Sequence, residues 1–279
     1  MIDAHLHTWD RSRSRYAWLD GAPEHLQADH SLAQGFAALA PFGADRAVLV
    51  QADETLEETA YLLELAAAAP RVVGAVVYLP LEAPDVVAAQ LPALAEDPGF
   101  VGIRNLTHDR PDPDWILGAE QRRSIELIEA AGVPLDYVAV LPRHLENLVT
   151  LARGHAGLTF VLDHLGTPPV GMSDGDWSRW EDQLAELGGL PNVVAKVSGI
   201  YRRDEPGVPS AEQLDAVLAA ALAAFGHDRL LMGSDWPVST IFGGDEPNLR
   251  ALVEAVDRLP AEQAQSLRTR TATRVYGLA

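Results

Sequence analysis

The chain has 279 residues, 48% of them hydrophobic, so a large core is attainable and wholesale disorder is excluded. Its 21 Lys and Arg face 40 Asp and Glu, a formal net charge of −19. That balance argues against a nucleic-acid binder and against an anionic membrane surface as partner, and an anionic substrate would need a local cation. Cysteine is absent, which removes disulfides, thiolate metal sites and a cysteine nucleophile.

The first element is a strand, "MIDAHLH" (1–7), on which alternation puts Asp3, His5 and His7 on one face. Three polar groups on one face are expensive in a core and make sense facing a site. Seven more strands follow: "RAVLVQA" (46–52), "RVVGAVVYL" (71–79), "FVGIRNLT" (100–107), "PLDYVAV" (134–140), "LTFVLDHLG" (158–166), "NVVAKVSGI" (192–200) and "RLLMGSD" (229–235). Several are near-continuous Val/Leu/Ile runs, as expected of parallel strands covered on both faces.

Helical stretches separate the strands, at 54–69, 84–96, 120–131, 142–155, 177–187, 210–225 and 248–275. In the fourth of these, Leu145, Leu148, Val149 and Ala152 make one apolar stripe. Eight strand–helix alternations predict a (β/α)8 barrel of the TIM type, a single domain over residues 1–279. A doubly wound open sheet would carry a Gly-rich phosphate loop after an early strand, and neither GxGxxG nor GxxxxGK[ST] occurs. No run of about 18 apolar residues predicts a membrane span, and no leader pattern precedes Asp3, so a cytoplasmic location is the default expectation.

The longest loops follow strands 1, 4, 6, 7 and 8, all at the barrel's C-terminal face, where such folds build active sites. Polar residues at the strand ends there are His5, His7, Gln51, Arg104, His164, Ser198 and Asp235. Three histidines and a carboxylate suit a divalent ion such as zinc, and equally a metal-free acid–base cluster. Each residue also has a structural reading: a hydrogen-bonded core histidine, Asp163 capping a turn in "DHLG", Asp235 capping a helix after "GSDWP", Arg104 in an ion pair. Their coincidence at one end of the barrel favours a site. Lys196 shares a face with Ser198, one step deeper, and is expected to pair with Asp3 near the barrel floor.

The stretches "IDAHLHTWD", "GIRN", "LDHLGTPP", "VAKVSG", "LLMGSDWPV" and "TATRVYGL" resemble the amidohydrolase superfamily over the whole chain. Within it they are similar to the metal-optional sugar and dicarboxylate lactonases, the fuconolactonase and rhamnonolactonase types among them. The resemblance implies His5, His7, His164 and Asp235 as the metal-ligand set for one divalent ion, zinc or another, that is dispensable. Binuclear members carry a strand-4 lysine or glutamate and a strand-5 histidine. Here Arg104 and "PLDYVAV" stand instead, so a two-metal centre is not expected.

The expected reaction is hydrolysis of a small-molecule sugar-acid lactone to the open-chain acid. Asp235 would activate water, while Arg104 and one or more of His5, His7 and His164 stabilise the oxyanion. Substrate contacts are expected from Gln51, Arg104, His108, Trp9 and Trp236, with Tyr78 as a further candidate wall. Two alternatives stay open: a zinc-dependent decarboxylase of an aromatic or muconate acid on the same barrel, and a non-catalytic sugar-acid binder. The sequence does not reveal the oligomeric state.

Overall fold

Strands whose side chains are apolar on both faces can be covered only by packing on both sides, and closing them into a barrel achieves this. The computed structural model describes residues 1–205, 207–242 and 245–278. Its strands are β1 (Ile2–Leu6), β2 (Arg46–Val50), β3 (Val72–Val77), β4 (Phe100–Asn105), β5 (Leu135–Tyr137), β6 (Phe160–Leu162), β7 (Val193–Val197) and β8 (Leu230–Met232). They pair in parallel in chain order, β1 to β8. Just past β8, Trp236 bridges to Leu6, and the His7 amide donates to the Trp236 carbonyl at 2.8 Å, which brings the last strand to the first.

The connecting helices are α1 (Leu32–Leu39), α2 (Leu56–Ala68), α3 (Pro84–Ala95), α4 (Ala119–Ala131), α5 (Pro142–Gly154), α6 (Asp174–Gly188), α7 (Ala211–Phe225) and α8 (Asp245–Asp257). Their starts follow from local chemistry. Ser31 and Ser210 each close a capping box with the glutamine three residues on. Helix α5 buries the expected stripe of Leu145, Leu148, Val149 and Ala152 against the barrel.

Two expectations need correction. The stretch 248–275 is not one helix: α8 stops before Pro260, and α9 (Ala261–Gln265), a π turn at Ser266–Arg270 and α10 (Thr271–Val275) follow. A proline cannot continue a helix, because it lacks the amide and clashes with the preceding turn. Strands 5, 6 and 8 are also shorter than expected at their C-terminal ends. After β6 the backbone turns left-handed at His164 and Leu165 (φ 54° and 52°), and after β8 at Asp235 (φ 57°). Helix α1 was not expected at all.

Most apolar side chains pack between strands and helices. Inside the barrel, Val48, Val50, Val76, Val161, Val194 and Leu231 form a second cluster, with Tyr276 and Leu278 from the chain's C-terminal end. The C-terminal segment therefore plugs the floor of the barrel, and the polar strand ends are left at the mouth.

Candidate active site

Three histidines meet one carboxylate at the mouth. The Asp235 Oδ1 atom lies 3.5 Å from His7 Nε2, 3.7 Å from His5 Nε2 and 3.9 Å from His164 Nε2. These four side chains come from the ends of β1, β6 and β8. Asp235 and His164 both sit in the left-handed region, where a non-glycine residue costs on the order of 1–3 kcal/mol. Backbone bonds hold the two turns: Thr167 donates to the His164 carbonyl at 2.9 Å and Ser239 to the Asp235 carbonyl at 2.8 Å. Gly199, also left-handed at φ 55°, makes room: a Cβ there would stand 2.6 Å from His164 Nδ1 and 3.0 Å from Asp235 Oδ2.

The ring nitrogens have assignable roles. His7 Nδ1 donates to the Val50 carbonyl at 2.8 Å, which leaves the His7 Nε2 lone pair facing His5 Nε2 at 3.0 Å. His164 Nδ1 meets the Ser198 hydroxyl at 2.9 Å. A hydroxyl that donates there leaves the His164 proton on Nε2, toward Asp235. Burial holds both His5 and His164 below the ordinary imidazole value, with the Lys196 charge adding to it at His5, so both are neutral near pH 7.

Arg104, at the end of β4, donates through Nε to Asp163 at 2.7 Å and through Nη1 to the Gln51 carbonyl at 2.8 Å. Gln51 answers with its amide to the Arg104 carbonyl at 3.1 Å, so the two strand ends clamp each other. Asp163 does not cap a turn. It is fully buried, and although burial opposes its ionisation, Lys196, His5 and Arg104 hold its carboxyl well below the usual range.

The expected Asp3–Lys196 pair does not form. Lys196 donates to Asp136 on β5 and stands 3.1 Å from Asp163 Oδ1, while Asp3 accepts from the Ser234 amide at 2.8 Å and the His5 amide at 3.0 Å. Alternate strands supply the side chains of one barrel layer, so a β7 side chain can meet β5 on one side as readily as β1 on the other. The register also slips between Asp3 and Leu6, so height cannot be counted along β1. Burial raises the Asp136 carboxyl to about 6 against the pull of Lys196, and the Tyr276 hydroxyl donates to it at 2.9 Å. The sequence offered no signal for Asp136 beyond an acid in a strand, and for Tyr276 only its place in the stretch "TATRVYGL".

A cavity of about 250 Å³ opens above the cluster. His7, His164, Asp235, Arg104 and His108 line it, with His5 directly beneath. Burial lowers His108 to about 4, so its imidazole is neutral. Trp18, Leu106, Val138, Val140, Tyr201 and Val238 give the apolar wall. Three expected substrate contacts stand behind that wall. Gln51 is fully buried, and Trp9, also fully buried, donates its indole N–H to the Ala28 carbonyl and packs edge-on against Trp18 at 5.3 Å. Trp236 packs against the His30 ring, and Tyr78 is likewise buried away from the cavity. Trp18, in the long loop after β1, is the indole at the cavity. A larger groove of about 350 Å³ lies outside the barrel beside Leu145 and Trp180 and holds none of these histidines.

His5, His7 and Asp235 have ligand atoms close enough together to hold one metal ion, and so do His5, Asp163 and His164. The fit is chemical as well as geometric: neutral imidazoles and a carboxylate are the donors zinc takes, and His7 already turns its lone pair into the site. Asp163 Oδ1 is buried without a hydrogen bond, 3.3 Å from His5 Nδ1, ready to accept from that nitrogen when His5 ligates through Nε2. Inward-facing Asp136 is the polar residue that β5 supplies, and Lys196 engages it, so no strand-5 histidine completes a second metal position.

A family model described as amidohydrolase matches residues 2–278. The L-fucono-1,5-lactonase of Burkholderia ambifaria is 34% identical over 242 residues, covering 87% of this chain and 82% of that protein. The L-fucono-1,5-lactonase of Burkholderia multivorans is 31% identical, covering 99% and 96%. The crystal structure of an amidohydrolase from Burkholderia multivorans with bound zinc superposes with a TM-score of 0.87 at 31% identity, over 100% of this chain and 99% of that one. With His5, His7, Arg104, His164 and Asp235 gathered at one barrel mouth and the family model matching nearly the whole chain, the chain belongs to the amidohydrolase family.

Proposed function

We propose that the protein hydrolyses a neutral sugar lactone, an aldonolactone with a five- or six-membered ring, to its hydroxy acid. The observation that carries this reading is the Asp235 carboxylate, 3.5–3.9 Å from three imidazole nitrogens at the base of a cavity of monosaccharide size. Two relatives named L-fucono-1,5-lactonase support it. Among the described residues lining the cavity, Arg104 is the one Arg or Lys, and it is already paired with Asp163. A dicarboxylate would bring charge that this wall does not balance, and the net charge of −19 would repel it.

In this mechanism Asp235 takes the proton of a water that attacks the lactone carbonyl carbon. The negative charge that develops on the carbonyl oxygen is met by the Arg104 guanidinium and by the N–H of His164. Collapse breaks the bond to the ring oxygen, and Asp235 returns its proton there, leaving the carboxylic acid and a free hydroxyl. His5, His7 and Asp235 would hold a divalent ion, which when bound would supply Lewis-acid polarisation of a carbonyl and lower the pKa of water. A cyclic ester is reactive enough that part of the turnover persists without the ion.

A pH-indicator assay against neutral aldono-1,5- and aldono-1,4-lactones, a pyrone dicarboxylate and hydroxybenzoic acids tests the reading. Turnover of one or more neutral lactones is expected. Exclusive turnover of the dicarboxylate would remove the neutral-substrate part. Carbon dioxide release without lactone hydrolysis would replace the reaction class.

A further inference from the structure

The charged column beneath the site has a consequence for the metal. Lys196 is fully buried inside the barrel and its ammonium can only donate. It donates to Asp136 and to His5 Nδ1, the latter at 3.1 Å. Asp163 Oδ1 lies equally close to the ammonium, as an ion pair at 3.1 Å, and is buried without a hydrogen bond. Asp136 is held from its other side by the Tyr276 hydroxyl, at 3.0 and 2.9 Å from its two oxygens.

These bonds dictate where the His5 proton sits. If His5 Nδ1 accepts from Lys196, the neutral ring carries its proton on Nε2. That N–H then donates to the His7 Nε2 lone pair at 3.0 Å, and His7 Nδ1 donates to Val50. In the run from Lys196 through His5 and His7 to the Val50 carbonyl, each link then has one donor and one acceptor. A metal ligated by His5 through Nε2 needs the other tautomer, with the proton on Nδ1, where it meets the Lys196 N–H head-on and must swing to Asp163 Oδ1.

We infer that Lys196 weakens the metal affinity of the His5–His7–Asp235 cluster by holding His5 in its non-ligating tautomer. Asp136 and Tyr276, reaching up from the barrel floor, are positioning residues that keep the ammonium there. The inference takes from the functional reading only that His5 and His7 can ligate. It needs no lactone turnover, so the failure of one is separable from the failure of the other.

Competition with a chromogenic chelator measures the zinc affinity of the full chain. Lys196→Met removes the donor opposing ligation and is expected to bind zinc about tenfold tighter, the scale of one charge-assisted hydrogen bond. Because this substitution strips two buried carboxylates of their counter-charge, a second measurement uses the wild-type protein. Its ¹⁵N histidine spectrum, with His5 assigned by comparison with His5→Asn, should show the proton on Nε2 without metal and on Nδ1 with zinc. A metal-free His5 protonated on Nδ1, or unchanged zinc affinity in folded Lys196→Met, overturns the inference.

Discussion

The two halves of the barrel interior are equally buried and held together by different physics. In the half toward the floor, Val48, Val50 and Val76 meet Val161, Val194, Leu231 and Tyr276 in an apolar cluster. In the half toward the mouth, Arg104, Asp136, Asp163, Lys196 and His5, from β4, β5, β6, β7 and β1, form one connected set of charges and hydrogen bonds. The apolar half can lose a methyl group and relax. The polar half cannot lose a member without leaving a charge buried and unpaired. Chemistry is confined to the polar half because proton transfer and oxyanion stabilisation need groups that are expensive to bury, and only a mutually satisfied network keeps them there.

The comparison is tested most severely at Asp235. Asp235→Asn keeps the shape of the side chain and should leave folding intact while lowering kcat by roughly 10²–10⁴-fold, the loss of a general acid–base group. Lactone hydrolysis within about threefold of wild type would remove Asp235 from the mechanism. At Arg104 both stability and turnover should fall. Arg104→Met leaves Asp163 without one of its partners and should destabilise by roughly 3–5 kcal/mol, read from denaturant unfolding, with KM and kcat both impaired.

A pH test probes a buried acid on the β2 side of the mouth. Glu58 accepts from the Ala52 amide at 3.0 Å and the Asp53 amide at 2.7 Å, and burial pushes its carboxyl up to about 8. A raised carboxyl pKa means the folded state holds a proton that the unfolded chain has released. The stability Glu58 contributes is therefore full below about 4.5 and is lost as pH rises through about 8, at up to about 1.4 kcal/mol per pH unit. Glu58→Gln should flatten unfolding free energy against pH across that window. An unchanged slope would show that Glu58 is ionised in the folded protein.

Val76→Ala should cost about 2 kcal/mol and leave kcat within about twofold, since it removes only apolar contacts. A loss as large as that at Arg104 would erase the distinction between the halves. The smallest effect is expected from chelation. Elemental analysis should return at most one divalent ion per chain, with part of the activity retained after stripping. Two stoichiometric metals would contradict the single-ion site, and complete loss restored only by zinc would contradict dispensability.

Much of this was legible along the chain. Alternation put His5 on one inward face, the apolar runs marked the strands, and "DHLG" and "GSDWP" marked the ends that carry His164 and Asp235. Such signals are local: a period of two, a turn residue, a run of β-branched side chains. What only the tertiary structure decided is which of these groups touch. Lys196 meets Asp136 from 60 residues away, and Tyr276 meets it from 140. Trp18 reaches the cavity while Trp9, nine positions earlier, is sealed behind it. Strand periodicity states a side chain's face but not its height in the barrel or its partner across the axis. Those follow from register, and here a slip within β1 sets Asp3 against Ser234 and frees Lys196 for the carboxylates of β5 and β6.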